Sequence, residues 1–370
     1  MRYRVCHVTS LHSWNDTRIF YKECLSLSKE FDVTLVAPNT KDLVEDGITV
    51  KGVNLPDINS RLKRFLQLNR ILPILEDIDA DVYHFHDPEL MRIGIRMKKK
   101  GKFVIFDSHE DVPLQIMEKG WIPAWIRPTV SYVYSHFEKR LLKKYDAVVT
   151  VTPSIVERLN TVNKNVYQIT NYPIVKAFHD ERKWCKSICF AGLVGPTWMH
   201  ANIVESIKDL AVNYNVAGHM YPEGYFQQLI KDLPYKERIT YVGRLPMESV
   251  SSFIQSNSIG MALCDYVPNM GYKMGSMGNT KLFEYMMAGV PVIATDFVLW
   301  KDIIDKYKCG IYVNPHDVEA IKNAISFLFS DMDKLKEMGN NGRKAVETLY
   351  NWSTQEEVLL SMYKKLLSLK

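Results

Sequence analysis

Residues 271–296 read GYKMGSMGNTKLFEYMMAGVPVIATD and predict a glycine-rich loop, a short helix and a buried apolar strand, in that order. We expect the helix to begin near Thr280, whose hydroxyl can cap free N–H groups at a helix start. It should end at Gly289, because glycine tolerates the left-handed conformation that terminates helices, and Pro291 prevents its continuation. This succession of loop, helix and strand is typical of a doubly wound α/β domain.

The chemistry of this segment suits a nucleotide diphosphate. Gly271, Gly275 and Gly278 let backbone amides approach a ligand, and the start of the helix presents unpaired N–H groups with a positive dipole end. Lys281 adds a full positive charge, and Glu284 could accept two hydrogen bonds from vicinal hydroxyls such as those of a ribose. The alternative is structural: Glu284 only complements the helix dipole, and the glycines form an ordinary turn.

The first half of the chain alternates extended apolar runs with helical patterns, which predicts a parallel sheet with crossover helices. The predicted strands are residues 3–9, 32–37, 48–53, 81–85, 103–107, 147–152 and 166–170. In open sheets of this kind, ligands bind at the carboxyl ends of the strands. The polar loops at residues 10–16, 84–89 and 108–111 should therefore converge on one crevice.

The second half resumes the alternation after a polar stretch, residues 177–186, that predicts a linker. Its predicted strands are residues 187–191, 214–217, 239–242, 259–263 and 290–295. A chain of 370 residues is also too long for one compact core. We therefore expect two α/β domains, residues 1–178 and 179–354, followed by a final helix over residues 355–370.

Composition limits the functions that remain. No stretch approaches eighteen consecutive apolar residues, and no secretory signal is visible, so we expect a cytoplasmic protein. The six cysteines are scattered without a CxxC pair, which predicts reduced thiols rather than a disulfide framework. A net charge of +5 favours attraction to phosphates or to an anionic membrane surface and does not indicate nucleic acid.

The segment NTKLFEYMMAGVPVIAT, residues 279–295, resembles the donor-site signature of retaining glycosyltransferases of family 4, the group 1 glycosyltransferases of bacterial polysaccharide biosynthesis. The resemblance implies the GT-B fold, in which two doubly wound Rossmann-like domains face an interdomain cleft and a final helix crosses back onto the first domain. It also implies that Glu284 holds the ribose of the nucleotide. We assign the donor site to Glu284 and to residues just before it: Lys281, Thr280, Asn279, Gly278 and Ser276.

Two features depart from the family pattern. The family usually carries another glutamate eight positions before the ribose glutamate, where this chain has Ser276. Members that lack it often show asparagine or proline, then lysine, before the helix, as Asn279 and Lys281 do here. The family also supplies an arginine and a lysine after the first strand of the second domain, but residues 191–202 contain no basic residue. Arg244 is a candidate substitute, with an exposed loop arginine as the alternative.

Two segments of the first half are similar to the acceptor-side domain of bacterial family 4 enzymes: DVYHFHDPEL at residues 81–90 and KFVIFDSHEDVP at residues 102–113. His109 is the candidate catalytic residue, because a neutral imidazole can donate and accept hydrogen bonds with sugar hydroxyls, and the family places an important histidine after this strand. Glu110, His86 and Asp87 are further acceptor-side candidates. The alternative for His109 is a histidine that only satisfies loop carbonyls.

We expect neither a metal nor a cofactor beyond the nucleotide-sugar co-substrate. His84, His86 and Asp87 could be read as metal ligands, but no further cluster of histidine or cysteine follows them in the sequence. The Asp-x-Asp sequences at residues 79–81 and 331–333 are interpreted as solvated surface. GT-B enzymes generally do without a divalent metal and use cationic side chains and helix ends to balance the leaving diphosphate, a task that suits Lys281.

Residues 121–145 offer a second hypothesis, peripheral contact with a membrane. Val130, Val133, Tyr134, Phe137 and Leu141 recur at helical spacing, and tryptophans and basic residues adjoin them. The adjoining residues are Trp121, Trp125, Lys139, Arg140, Lys143 and Lys144. Such a helix could lie on a membrane and reach a lipid-linked acceptor. The alternative is that the apolar stripe packs on its own sheet, which is the more common arrangement for such stripes.

The sequence therefore predicts a retaining GT-B glycosyltransferase that moves a hexose-type sugar from a nucleotide-diphosphate donor to a glycan or lipid-linked acceptor. Surface polysaccharide synthesis is the expected setting. The alternative from a different functional class is a non-catalytic sugar-nucleotide-binding protein on the same fold. Measuring turnover of the donor would distinguish the enzyme from such a protein. An oxidoreductase is disfavoured, because SLHSWND rather than GxGxxG follows the first strand.

Overall fold

A computed structural model describes residues 2–55, 67–176 and 184–368. The chain forms two compact units, one comprising Met1–Asn171 with Trp352–Lys370 and the other comprising Tyr172–Asn351. The expected boundary at residues 178 and 179 lies outside the described residues. Tyr172 belongs to the second unit because its ring packs edge-on against Phe283 at 4.7 Å and against Tyr350 at 5.4 Å.

The first unit contains an eight-stranded sheet in the order β3-β4-β2-β1-β5-β6-β7-β8, parallel except for β3. The strands are β1 Arg4–Val8, β2 Asp32–Pro38, β3 Leu43–Glu45, β4 Ile48–Val53, β5 Val82–Phe85, β6 Phe103–Ser108, β7 Ala147–Thr150 and β8 Val166–Gln168. Helix α1 begins as the π-helix Ile19–Cys24 and continues as the α-helix Leu25–Ser28. Among the described residues, the other α-helices before the second unit are α2 Ile71–Ile78, α3 Met91–Lys99, α4 Val112–Glu118, α5 Arg127–Leu142 and α6 Pro153–Asn160.

The second unit contains a six-stranded parallel sheet in the order β11-β10-β9-β12-β13-β14. The strands are β9 Ser187–Ala191, β10 Asn213–Ala217, β11 Ile239–Tyr241, β12 Ile259–Ala262, β13 Val292–Thr295 and β14 Gly310–Val313. The helices are α7 His200–Ser206, α8 Tyr225–Ile230, α9 Met247–Gln255, α10 Lys281–Met287, α11 Val298–Tyr307, α12 Val318–Ser330 and α13 Met332–Thr348. This strand order is the one found in Rossmann folds.

The last helix, α14 Trp352–Leu367, returns to the first unit. It starts three residues before the expected position, because Trp352 is buried and its indole N–H donates to Ser26 Oγ at 2.9 Å. Leu359, Met362 and Tyr363 join the same apolar core as β1 and β2. Each large side chain buried in this way stabilises the fold by roughly 1.5–3 kcal/mol, so the helix is an integral part of the unit.

The structure confirms two α/β domains with parallel sheets. Two of its strands, β3 and β14, were not predicted. Strand β3 is only three residues long and pairs antiparallel with β4 through a two-residue turn, Asp46–Gly47, whose φ angles are both positive. Strand β14 is partly exposed and carries a glycine, so its pattern is weak. Within the described residues, no helix is both long and apolar enough to cross a bilayer.

Chain order reverses once in each sheet, beside its first strand: between β1 and β5 in the first unit and between β9 and β12 in the second. Loops that leave neighbouring strands on opposite sides of such a point diverge and open a crevice at the carboxyl edge. The candidate site residues can therefore be sought at these two positions.

Candidate functional site

In the first unit, Asp87 joins the two loops that leave β1 and β5. Its Oδ2 accepts hydrogen bonds from Thr9 Oγ1 and from the Ser10 backbone N–H, both at 2.7 Å, and the Ser10 hydroxyl donates to Glu89 at 3.1 Å. Asp87 is only 2% exposed. The predicted acceptor-side residue thus holds the walls of the crevice together at the point where chain order reverses.

His109 lies beside the end of β6, where Asp107 fixes its ring. The Nε2 atom of His109 is 3.1 Å from Asp107 Oδ2 and 3.2 Å from His86 Nδ1. Because a carboxylate only accepts, we assign the proton to Nε2, which leaves Nδ1 as an acceptor. The side chain of His109 is 21% exposed, so a ligand can reach it.

Arg18 holds Asp107 in turn. Its Nε and Nη2 donate to the two carboxylate oxygens of Asp107 at 2.9–3.1 Å, and its Nη1 donates to the Ile169 carbonyl at 2.9 Å. Burial raises the pKa of Asp107, but the Arg18 guanidinium and His109 outweigh it and hold the pKa well below its usual range. Asp107 therefore stays ionised as the support of His109.

His12, which sequence reasoning did not select, completes this surface. Its ring centroid is 5.5 Å from that of His109, its Nδ1 is 3.2 Å from Asp16 Oδ2, and its Nε2 is 3.8 Å from Asp87 Oδ1. Burial lowers the pKa of His12, but the hydrogen bond that its ring donates to Asp16 and the nearby carboxylates outweigh it and raise the pKa. Its place in the polar loop after β1 was the only signal in the sequence.

The other acceptor-side candidates differ from His109 in their exposure and contacts. Glu110 is exposed, and its carboxylate accepts a hydrogen bond from Gln115 on α4. His86 is 3% exposed, and burial lowers its pKa to about 4, with Asp107 acting in the opposite direction. His86 therefore acts behind His109, as a neutral ring, rather than as a surface ligand.

Two overlapping groups of side chains in the first unit have ligand atoms close enough to hold a metal ion: His7, Glu23, His84 and His86, and His86, Asp107 and His109. The sequence argument against metal at His84 and His86 overlooked His7, which lies opposite His84 across the β1–β5 pair. It also overlooked Glu23. Residues Arg18 and Glu23 share one face because the Glu23 N–H bonds to the Arg18 carbonyl in a π-type turn.

In the second unit, the predicted donor residues form one turn before α10. The Gly278 N–H donates to Ser276 Oγ at 3.1 Å, and the Lys281 N–H donates to Asn279 Oδ1 at 3.1 Å. Thr280 is the N-cap residue of α10, as expected, but the expectation that its hydroxyl caps a helix N–H is wrong: the Thr280 hydroxyl donates to Glu284 Oε1 at 2.8 Å instead. The turn thus places a hydroxyl against the carboxylate of Glu284, which is partly exposed.

Tyr285 fixes α10 over the reversal point of the second sheet. Its buried hydroxyl donates to the Met261 carbonyl of β12 at 3.3 Å and accepts from the Ala191 N–H of β9 at 3.1 Å. The ring lies so close to β12 that a Cβ at Gly260 would come within 2.3 Å of it. Helix α10 and its Glu284 therefore sit where ligands bind in Rossmann-ordered sheets.

Lys281 lies in the adjacent crevice. Its Nζ is 4.0 Å from the centroid of the Trp198 ring, and a Cβ at Gly192 would come within 2.5 Å of the same nitrogen. Burial lowers the pKa of Lys281, and Glu284 acts in the opposite direction. Trp198 and Gly192, both in the loop without basic residues, thus position the one cation that the sequence assigned to the diphosphate.

Arg244 stands apart from this cluster. It is exposed and follows β11, the edge strand, whereas α10 lies over β9 and β12. Glycine loops connect the two places along the carboxyl edge, since the Gly218 N–H donates to the Gly243 carbonyl at 2.8 Å and Gly218 lies directly against Gly192. Arg244 therefore shares the edge with Lys281 without contacting the turn before α10.

Comparison with known protein families matches each half of the chain. The family described as "Glycosyltransferase Family 4" matches residues 17–171, and the family described as "Glycosyl transferases group 1" matches residues 180–345. The two matched segments fall in the first and second units. The chain is therefore a group 1 glycosyltransferase of the family 4 type.

Individual relatives are distant in sequence. The chain is 20% identical over 307 residues to the MMP alpha-(1→4)-mannosyltransferase of Mycolicibacterium hassiacum, a match that covers 78% of this chain and 71% of that protein. The structure of sucrose-phosphate synthase from Thermosynechococcus elongatus aligns over 100% of both chains with a TM-score of 0.77 and 16% identity. Alr3699/HepE from Anabaena, solved in complex with UDP and glucose, aligns over 98% of this chain and 100% of its own with a TM-score of 0.73 and 9% identity. These similarities establish the GT-B fold.

Proposed function

We propose that the enzyme moves a hexose-type sugar from a nucleotide-diphosphate sugar to a hydroxyl of a glycan or lipid-linked acceptor, with retention of configuration, in surface polysaccharide synthesis. The position of Glu284 carries the proposal. Its carboxylate is partly exposed on α10, one oxygen accepts from Thr280, and the helix lies over the reversal point of a Rossmann-ordered sheet. We assign to the second oxygen the hydrogen bonds from ribose hydroxyls.

The diphosphate would be held by Lys281 and by the glycine-lined edge that Gly192, Gly218 and Gly243 form. A cation whose charge is partly desolvated gains more from an approaching anion than a solvated one does, and the lowered pKa of Lys281 reports that desolvation. Trp198 keeps the ammonium group in place through its ring face. These groups supply the counter-charge that a leaving nucleotide diphosphate requires.

On the acceptor side, His109 is the group we assign to direct contact with substrate. Asp107 holds its Nε2–H, so Nδ1 can accept a hydrogen bond from a sugar hydroxyl and orient it. In the retaining reaction that we propose, the acceptor oxygen bonds to the anomeric carbon on the face that the phosphate oxygen leaves. The departing phosphate oxygen takes the hydroxyl proton.

The nature of the sugar is supported by relatives alone. One relative is a mannosyltransferase, and one structural neighbour was solved with UDP and glucose, so a hexose carried on a nucleoside diphosphate is the class of donor we propose. Ser276 occupies the position of the missing family glutamate, and its hydroxyl would offer that sugar a neutral contact. The base is to be read from the experiment below.

We also propose contact with an anionic membrane surface. In helix α5, Tyr134, Phe137 and Leu141 pack against the core of the first unit, so the predicted stripe is largely internal. Four neighbouring apolar residues are instead exposed: Trp121 at 64%, Trp125 at 81%, Tyr132 at 66% and Val133 at 61%. Val133 and Arg140, seven residues apart, share one helix face, so aromatic and basic groups are presented together.

Thermal unfolding in the presence of nucleoside diphosphates and nucleotide sugars tests the donor proposal directly. A ligand that binds only the folded state raises the unfolding temperature according to its concentration over its dissociation constant. We expect one base to stabilise the protein more than the others, and its sugar derivative to be consumed when hydroxyl acceptors are added. A protein that binds a nucleotide sugar and never turns it over would contradict the proposed activity.

A further inference from the structure

Four buried side chains of the first unit enclose a common point beneath the acceptor crevice: His7 on β1, His84 on β5, His86 directly after β5, and Glu23 on α1. They are 0%, 0%, 3% and 0% exposed, respectively. One ligand atom of each lies within 4.8 Å of those of all the others. The fold itself creates the group, since β1 and β5 pair with His7 opposite His84, and His86 follows on the same strand face.

Glu23 lacks a hydrogen-bond donor in this group. Neither of its carboxylate oxygens accepts a hydrogen bond from a described residue. Oε1 lies 3.0 Å from Arg18 Nε, whereas Oε2 faces the three imidazoles, at 3.8 Å from His7 Nδ1 and 4.0 Å from His84 Nδ1 and His86 Nε2. A fully buried carboxylate oxygen without a donor is costly, which makes a cation at this point favourable.

One guanidinium serves two carboxyl groups beside this point. Arg18 contacts Glu23 at 3.0 Å and Asp107 at 2.9 Å. A divalent ion would interact directly with Glu23 Oε2 and with the histidine nitrogens around it.

Two of the three histidines have polar neighbours, of the kind that metal sites use, at the ring nitrogen that would point away from such an ion. The third, His84, has its Nδ1 2.9 Å from the Tyr363 hydroxyl, and its Nε2 has no hydrogen-bond partner among the described residues. His86 Nδ1 lies 3.6 Å from Asp107 Oδ2, and His7 Nε2 lies 3.3 Å from the Tyr363 hydroxyl. Metal-bound histidines usually donate their second ring N–H to a carboxylate or another acceptor, which fixes the tautomer and the ring orientation. Asp107 would therefore support His86 and His109 at once.

We propose that His7, His84, His86 and Glu23 bind one divalent transition-metal ion of the zinc class, as a structural centre of the first unit. Three imidazoles and a carboxylate suit Zn²⁺, with nitrogen and oxygen bonds of about 2.0–2.2 Å and ligand atoms roughly 3.3 Å apart in a tetrahedral site. The distances among these atoms include 2.9 Å for His7 Nδ1 to His86 Nε2 and 3.8–4.0 Å to Glu23, so small side-chain movements are enough. The ion would join β1, β5 and α1.

The first test is the metal content of the whole protein, purified through a tag without histidine and dialysed against metal-free buffer. We expect inductively coupled plasma mass spectrometry to find about one equivalent of zinc per chain. Protein produced in cobalt-supplemented minimal medium should show the visible absorption of tetrahedral Co²⁺. If neither zinc nor cobalt is retained above about a tenth of an equivalent, the proposal is overturned, and the 2.9 Å contact of His7 and His86 is a shared proton.

Variants then locate the ion. Glu23→Gln and His7→Asn should each lower the retained metal at least tenfold, because each removes a ligand at nearly constant volume. His200→Asn is the matched control: His200 is also fully buried and bonds to a tyrosine hydroxyl, at 2.8 Å, but belongs to no candidate ligand group among the described residues. It should retain the full equivalent. Full retention in folded Glu23→Gln and His7→Asn proteins would place the ion elsewhere and overturn the proposal, and if these variants do not fold, the wild-type measurements decide.

Discussion

The Thr280 hydroxyl donates to Glu284 Oε1 at 2.8 Å, so one oxygen of this carboxylate is occupied by the protein and the other is available to a ligand. This contact is the basis of the first prediction. Glu284→Gln keeps the size of the side chain and replaces a charged acceptor by a neutral amide. Hydrogen bonds to a charged group contribute roughly 1.5–3 kcal/mol, so the affinity for the nucleoside diphosphate should fall about ten- to hundredfold by calorimetry.

Glu248→Gln is the matched control for this prediction. Glu248 also lies in the first turn of a helix of the same unit, α9, and is exposed. Both changes remove an interaction with a helix dipole, worth at most about 1 kcal/mol of stability, but only Glu284 should affect nucleotide binding. Equal nucleotide affinity in wild-type and Glu284→Gln proteins would leave the carboxylate with a structural role alone. A 2′-deoxyribonucleotide that binds wild type as weakly as the ribonucleotide binds the variant would locate the lost contact at the ribose.

The second prediction concerns His109. Its replacement by alanine should lower transfer by roughly two orders of magnitude, the scale of one lost catalytic hydrogen-bonding group. Donor binding should stay unchanged, because the donor residues belong to the other unit. Initial rates and nucleotide affinity are to be measured on the same preparation. Parallel loss of both would show that His109 supports the fold instead of contacting the acceptor.

Sequence patterns were sufficient where a structural feature depends on neighbouring residues in the chain. Strands β4 and β9 have the predicted limits, and the short loop before α10 contains the residues assigned to it. The α/β alternation itself gave the two-domain fold, because apolar runs and helical periodicities are local signals.

Features that depend on pairing across the sheet could not be read in this way. His7 meets His84 only because β1 and β5 are neighbours in the sheet, although 76 residues lie between the two histidines in the chain. Arg18, which the sequence analysis did not select, lies directly before the π-helix Ile19–Cys24 and is buried against Asp107, a residue distant in the chain. The absence of a side-chain cap from Thr280 likewise depended on Glu284, which accepts the hydrogen bond of the threonine hydroxyl.

The third prediction concerns the pH dependence of nucleotide binding. Burial lowers the pKa of Lys281 from 10.5, so this ammonium loses its proton at a lower pH than an exposed lysine. Since the diphosphate binds the charged form, affinity should decline as pH rises through the lowered pKa, and Lys281→Met should bind roughly tenfold more weakly at neutral pH and lack the decline. Lys273→Met changes an exposed lysine of the loop before α10 and should retain the decline in affinity with rising pH. A wild-type affinity that does not change up to pH 10 would exclude Lys281 from the phosphate contact.

The fourth prediction is that transfer persists in excess chelator without added magnesium or manganese. The proposed counter-charge is Lys281 together with backbone N–H groups, so the donor needs no exchangeable cation. The buried group around Glu23 is a separate matter, since its side chains are 0–3% exposed and an ion held there would not exchange during a short assay. Complete loss of transfer that magnesium restores would contradict the prediction and return attention to the Asp-x-Asp sequences.

The last prediction concerns the exposed aromatic and basic residues at α5. The protein should sediment with anionic vesicles at low salt, and glutamine at the four basic positions Lys139, Arg140, Lys143 and Lys144 should abolish this. Each basic residue near an anionic surface contributes roughly 1 kcal/mol, so four of them dominate a salt-sensitive interaction. Alanine at Trp121 and Trp125 should weaken the interaction that persists at higher salt, because these side chains are 64% and 81% exposed and have apolar surface to insert. The control variant carries the same loss of charge in the second unit, at the exposed residues Lys231, Lys236, Lys306 and Lys344. If this control reduces sedimentation as much as the α5 variant does, the attraction reflects overall charge, and α5 is not the contact surface.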